Sequence, residues 1–340
     1  MKLKPNRTAL YSLFAVFIVL LAYFFVGWPR EHADVRYGIT WSKPYAEELG
    51  LNSQQGLEVM LDEVNVRRFR IPAYWTLIEP EQGYFDFTWL DAQLDLIERY
   101  DGDVTLAVGA RLPRWPECWV PEWTENLSQS DRESAQLNYV QKVYERYSEH
   151  PAIIKWQIEN EVSFTFFAKC DGLTKQLVAE QLSLVRGLEQ SRVKNIQRPV
   201  ITTDSGEFST WLAFVGKVDG KGVSLYRRVT NPWIGVINYW FIPPWAYQRK
   251  ANLVSPFIGH IHISEFQMEP WASVPLHTLE NSAMFFTLDH KQMERNLVYA
   301  QRTGFDEIYF WGAEWWLWMA RERGIPDFLD TMTQFFEENR

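Results

Sequence analysis

The chain is poor in the residues that build metal and redox centres. Of its 340 residues only two are cysteine and six are histidine, and no Cys/His group has the spacing of a zinc site. It is not basic either: 34 Lys and Arg stand against 43 Asp and Glu, a formal charge of −9. That balance argues against a nucleic-acid-binding face. No internal repeat and no low-complexity run is present, so neither a solenoid nor a disordered tract is expected. One long apolar run is all the chain has, too little for a multi-span transporter.

That run covers residues 9–28 and is uncharged. It has the length that crosses a bilayer core as a helix, about 20 residues. Lys2, Lys4 and Arg7 precede it and residues 1–29 hold no acid, so the rest of the chain carries −12. Bases before the run place residues 1–8 in the cytoplasm and the remainder outside, with Trp28 at the interface. A signal anchor is favoured over the competing reading, a cleaved signal peptide, because the run is long and no convincing small-x-small cleavage site follows it. The expectation is a membrane-anchored extracytoplasmic protein.

The whole chain is 46% hydrophobic, with 16% aromatic residues and 17 Trp. Flat rings with a polar edge suit sugar faces as well as a large core. Short β-branched or apolar runs alternate with longer amphipathic ones, the signature of a parallel sheet with crossover helices. The strands are expected at 35–40, 66–72, 104–110, 153–158, 199–203, 223–226, 258–265 and 307–311. Asp86, Asp131 and Thr174 are candidate caps of intervening helices, and a last helix is expected over 326–336. Eight strands, each followed by a helix, make a closed (β/α)8 barrel over 35–340, preceded by one transmembrane helix, with no second domain. The stretch 227–257, rich in aromatics (Trp233, Tyr239, Trp240, Trp245, Tyr247), is expected to hold the sixth helix plus an insertion, either beside the cleft or structural.

Chemistry in such a barrel sits at the C-terminal strand ends. Strand two ends near Arg70, strand four in Glu159-Asn160-Glu161, and strand six at Tyr226. Strand seven ends in Ser264-Glu265-Phe266-Gln267-Met268-Glu269, and strand eight in Trp311-Gly312-Ala313-Glu314. Two carboxylates facing each other across a barrel mouth are what retaining glycoside hydrolysis requires. Asp204, at the end of strand five, either touches substrate or caps the next helix, and the capping role is favoured. Residues 111–119 form either a subsite wall or a rigid loop. Trp41, just past strand one, is a weaker platform candidate. Cys118 and Cys170 fall in the neighbouring loops after strands three and four, and an extracytoplasmic site permits a disulfide between them.

These strand ends resemble glycoside hydrolases of clan A, the superfamily of cellulases and β-galactosidases. Asn160-Glu161 matches their Asn-Glu on strand four, and Ser264-Glu265-Phe266 their strand-seven Glu. Arg70, Tyr226 and Trp311 stand where that clan has Arg, Tyr and Trp. Residues 74–87, Tyr-Trp-Thr-Leu-Ile-Glu-Pro-Glu-Gln-Gly-Tyr-Phe-Asp-Phe, are similar to the stretch after strand two in families 5 and 42. The resemblance implies that Glu161 is the acid/base and Glu265 the nucleophile, kept ionised by Arg70 and a hydrogen bond from Tyr226. Asn160 would hold the sugar 2-OH and Trp311 would lie under the ring. No metal or organic cofactor is implied. Glu269 is a rival nucleophile, since 265, 267 and 269 share one face of an extended strand. Glu314 is either a sugar-hydroxyl acceptor or half of a buried ion pair. A retaining β-glycosidase acting on oligo- or polysaccharide leads. A non-hydrolytic carbohydrate-binding barrel and an envelope transglycosidase are the alternatives, because a fold alone does not prove activity.

Overall fold

The computed structural model describes residues 7–28, 32, 34–163, 170–193, 196–231 and 235–339. Eight parallel strands close into one barrel: β1 (Arg36–Thr40), β2 (Arg68–Tyr74), β3 (Asp103–Gly109), β4 (Ile153–Ile158), β5 (Val200–Ser205), β6 (Gly220–Leu225), β9 (His260–Gln267) and β10 (Glu307–Trp311). Between β6 and β9 the chain adds an antiparallel ribbon, β7 (Arg228–Asn231) with β8 (Gly235–Asn238). Every expected strand is present, with ends shifted by a few residues.

The helices are α1 (Arg7–Phe25), α2 (Lys43–Glu48), α3 (Ser53–Asp62), α4 (Trp75–Ile78), α5 (Thr88–Arg99), α6 (Gln129–Tyr147), α7 (Lys175–Gln190), α8 (Pro244–Ile258), α9 (Asn281–Met284), α10 (His290–Gln301), α11 (Ala313–Arg321) and α12 (Asp327–Glu338). Thr174 caps α7, accepting from the Leu177 N–H at 3.1 Å. Asp131 does not cap α6. Ser128 does, and Asp131 stands three residues on, where its carboxylate accepts from the Ser128 hydroxyl at 2.7 Å. The Ser128 oxygen in turn accepts from the Asp131 N–H at 3.2 Å, which is the capping bond. Asp86 lies just ahead of α5 and accepts from the Thr88 N–H at 2.9 Å.

Alternation along each strand sorts its side chains. Arg70 on β2 reaches Gln157 on β4 and Glu265 on β9, past intervening strands, so it points into the barrel. Its neighbours Phe69 and Ile71 therefore face the helices, where both are fully buried. Ile39, Leu106, Ile158, Val223, Ile263 and Phe310 belong to the same apolar core, together with Leu57, Leu94, Val143, Leu182 and Met332 from the helices. Each such side chain contributes about 1.5–3 kcal/mol by leaving water.

One strand departs from the strand–helix rule. Residues 206–219 after β5 hold no helix. The loop is pinned by Trp211, fully buried, whose indole N–H donates to the Ser205 carbonyl at 3.0 Å. Asp204 consequently has no helix to cap. It forms an ion pair with Lys221 at 2.6 Å, both side chains wholly enclosed, so it is a strand-to-strand tie.

The stretch 227–257 holds the ribbon and α8, as expected; Trp233 lies outside the described residues. The N-terminal run is helical over Arg7–Phe25. Among the described residues no helix is long and apolar enough to cross a membrane, so the expected span over 9–28 is not shown.

Candidate active site

The C-terminal strand ends gather a buried, charged cluster around Arg70. Its guanidinium donates from Nη1 to Glu265 Oε1, from Nη2 to Asn160 Oδ1 and from Nε to Gln157 Oε1, each at 2.7 Å. One side chain on β2 thus fixes residues of β4 and β9 from the barrel interior. Tyr226, just past β6, donates to the other oxygen of Glu265 at 2.9 Å. Two donors, one of them cationic, are the set that suits a carboxylate anion.

Glu161 sits in a different setting. The Ser224 hydroxyl donates to its carboxyl, and among the described residues no ion pair reaches it. Burial, the charge of Glu265 and that of Glu117 push its pKa up to about 8. The site thus holds two carboxyls whose surroundings differ, the pattern that separates an acid from a nucleophile.

Backbone geometry at this point is unusual. Glu159 and Glu161 both have positive φ, 59° and 45°, a region unfavourable for side chains larger than glycine. Hydrogen bonds hold the turn. The Glu161 N–H donates to Thr203 Oγ1 at 2.9 Å, and its carbonyl accepts from Arg111 Nη1 at 2.9 Å. Glu159 turns away from the mouth. Its carboxylate accepts from the Ala110 and Arg111 N–H groups at 3.1 and 2.6 Å and from Gln136 at 2.7 Å. Gly109 makes room for it: a Cβ there would lie 2.4 Å from the Glu159 carboxyl carbon.

The two strand-seven candidates part company in space. A register shift between Val223 and Ser224 of β6 falls opposite Ile263 and Glu265, and β9 ends at Gln267. The Gln267 side chain accepts from the Arg227 and Arg228 N–H groups at 2.8 and 2.9 Å. Glu269, beyond the strand, pairs with Arg114 and accepts from the Trp311 indole at 2.7 Å. The other nitrogen of Arg114 binds Glu314, also buried, which accepts from the Ser42 N–H as well. The guanidinium lies between the rings of Tyr45 and Trp311, 3.9 and 4.0 Å from their centroids. Glu314 is therefore half of a buried ion pair, and one face of Trp311 is covered by Arg114. Trp41 is fully buried, with its indole N–H directed to Ser53 at 3.3 Å. It belongs to the core and offers no platform.

Residues 111–119 form a rigid ionic loop. Arg111 grips Glu117, and Cys118 is bonded to Cys170, with Cα atoms 5.4 Å apart. Sequence reasoning had not assigned roles to Gln157, Thr203, Ser224, Arg111 or Arg114. The first three lie within or at the C-terminal ends of inward-facing strands, a signal that was available. A cavity of about 800 Å³ lined by Arg36, Asn65, Arg68 and Phe336 opens at the strand starts, the end opposite the carboxylates, and holds none of these groups.

Burial raises several acids together: Glu159, Glu207 and Glu314 to about 7, besides Glu161. The folded chain then binds more protons than the unfolded one above the usual carboxylate range. The associated stability is complete below about pH 4.5 and is lost as pH rises through 7 to 8. His262, lowered by burial, and Lys250, lowered by burial to about 8, act mainly below and above that window. We expect Tm to fall between pH 6.5 and 8 in calorimetry; a Tm that rises across the interval contradicts the placement of these acids.

Residues 53–191 match the family Glyco_hydro_42, described as Beta-galactosidase. Beta-galactosidase Pbg of Clostridium perfringens is 35% identical over 105 residues, 26% of this chain and 15% of that protein. Beta-galactosidase BgaA of Clostridium cellulovorans is 25% identical over 184 residues, 48% and 27% of the two chains. The matched stretches are thus a minor part of these curated relatives. Among solved structures, a beta-galactosidase from Marinomonas ef1 aligns with TM-score 0.56 and 14% identity, over 81% of this chain and 54% of its own. GH5_18 from Streptomyces cattleya aligns with TM-score 0.56 and 11% identity, over 82% and 70%. At such identities the structural likeness speaks for the fold. A family 42 sequence match over 53–191 and a shared barrel fold over four fifths of the chain are what the comparisons add to the carboxylate pair.

Proposed function

We propose that this chain is a retaining glycoside hydrolase acting on β-glycosidic bonds, with Glu161 as acid/base and Glu265 as nucleophile. The observation that carries the reading is the unequal pair itself. Glu265 is held by Arg70 and Tyr226, while Glu161, in electrostatic contact with it, is raised to about 8. The family 42 match over 53–191, which includes Asn160-Glu161, supports it.

Glu161, protonated at neutral pH, gives its proton to the glycosidic oxygen while Glu265 attacks the anomeric carbon. The aglycone leaves and a glycosyl ester forms on Glu265. Loss of that proton lets Glu161 take one from water, whose oxygen then displaces Glu265 and restores both groups. Asn160, oriented by Arg70 and by the Thr203 hydroxyl at 2.7 Å, is placed to meet the sugar 2-OH. Water accepting the sugar gives hydrolysis; a second sugar accepting it gives transglycosylation.

A panel of aryl β-glycosides tests this. We expect kcat/KM to fall on the alkaline side near pH 8, as the coupled pair loses its proton. Glu161→Gln should lower kcat/KM for poor leaving groups by about 10²- to 10⁴-fold. If no glycoside in the panel is cleaved or transferred, the hydrolase reading fails and a binding role takes its place.

The apolar segment 9–28 anchors the barrel at the outer face of a membrane in this reading. Its support is that Leu13, Phe14, Phe17 and Val19 are all exposed on α1, with Lys2, Lys4 and Arg7 ahead of them. Protein found in the soluble fraction after an alkaline carbonate wash would overturn the anchor without touching the hydrolase assignment.

A further inference from the structure

Glu161 must hold a left-handed backbone, φ 45°, and its peptide is gripped at both ends. Thr203 takes the N–H; Arg111 takes the carbonyl. Thr203 is fixed in β5. Arg111 lies just past β3 on a long, buried side chain, and the direction of its guanidinium is set by the groups it bonds. That partner is Glu117, whose Oε2 accepts from both Arg111 Nε and Nη2, at 2.9 and 2.7 Å. The third nitrogen, Nη1, is thereby aimed at Glu161.

Glu117 is itself built in. The Glu117 N–H donates to the Arg114 carbonyl at 2.7 Å, and its carbonyl accepts from the Leu112 N–H at 2.9 Å. Arg111 and Cys118 pair as an antiparallel bridge, and the next bond along is the disulfide to Cys170. The bridge therefore fastens the residue beside Glu117 to the chain leaving β4, the strand that carries Glu161.

We propose that Glu117 is a positioning residue for the acid/base: through Arg111 it fixes the Glu161 main chain, and the Cys118–Cys170 bond holds Glu117 in place. This rests on the hydrolase reading above. Among the described residues, the charged and titratable groups acting on Glu161 are Glu265 from β9, Arg111 and Glu117 from the loop after β3, and Tyr226 from beyond β6. Removing the charge of Glu117 takes one repulsive carboxylate from this set, so the alkaline limb should also move to lower pH.

The test is leaving-group dependence. A displaced acid harms substrates that need protonation and spares those that do not. In Glu117→Ala, which removes the oxygen that accepts from Arg111, kcat/KM for phenyl and alkyl β-glycosides should fall at least about tenfold, part of the general-acid contribution, while dinitrophenyl glycosides lose about twofold or less. The wild-type protein with the disulfide reduced by a dithiol should show a change in the same direction, and serves if the variant does not fold. Equal losses on both substrate types in either preparation, or no loss, overturn the proposal. A wild-type chain inactive on every glycoside overturns the hydrolase reading and this one with it, whereas an active wild type with an unchanged slope removes only the role of Glu117.

Discussion

Glu265→Gln should remove glycoside cleavage almost entirely, by at least about 10⁴-fold in kcat, the scale of losing a covalent nucleophile. The amide is nearly isosteric: its one oxygen can still accept from Arg70 and its NH2 can donate to the Tyr226 oxygen, but it cannot form the glycosyl ester. The neighbouring substitution should behave differently. Glu269 is bonded to Arg114 and to the Trp311 indole, so Glu269→Gln weakens a buried ion pair and shifts a wall of the site without removing the attacking atom. A 2-fluoro glycoside that traps the ester, followed by peptide mass spectrometry, reads the residue directly. Label on the peptide at Glu269, with full activity in Glu265→Gln, would reverse the assignment.

Arg114→Ala should be the most destabilising single change in the barrel mouth, costing about 3–5 kcal/mol, the range for breaking a buried pair from one side. Arg114 is 5% exposed, and it answers two carboxylates, Glu269 and Glu314, that are 6% and 0% exposed. Truncation leaves both without their cation. It also removes the guanidinium from between Tyr45 and Trp311, so packing is lost with charge. The expected fall in Tm is on the order of 10 °C. Because burial raises Glu314 to about 7, the stranded acid takes up a proton more readily as pH falls, and the loss should shrink at pH 5.5. Glu314→Gln in the same chain should recover part of it. A truncated protein within 1 kcal/mol of wild type (an arbitrary threshold, set at about the median surface pair) would show that the ion pairs do not form.

The strands were legible because their signals are local. A run such as Val-Thr-Leu-Ala-Val at 104–108 suits a strand covered on both faces, whatever surrounds it. Strand order in a right-handed parallel barrel follows chain order, so the places of Asn160, Glu161 and Glu265 near strand ends came with the strands, whereas Arg70 lies inside β2, which runs on to Tyr74. The helix cap at Thr174 was equally local, and the cap expected at Asp131 falls three residues earlier because Ser128 and Asp131 are both residues that favour the cap position.

What the sequence by itself determined, then, is the barrel and the two strand ends where carboxyls gather, because side-chain period and chain order are properties of neighbouring residues. Tertiary structure alone decided which carboxyl near 265–269 faces Glu161, since the choice depends on a shift in strand register and on Arg114, 155 positions away from Glu269 in the chain. It also turned Trp41 into the core, gave Asp204 to Lys221 in place of a helix, and placed Arg111 and Glu117 behind Glu161. Each of those outcomes is set by burial and by partners on other strands, and no window of sequence contains them.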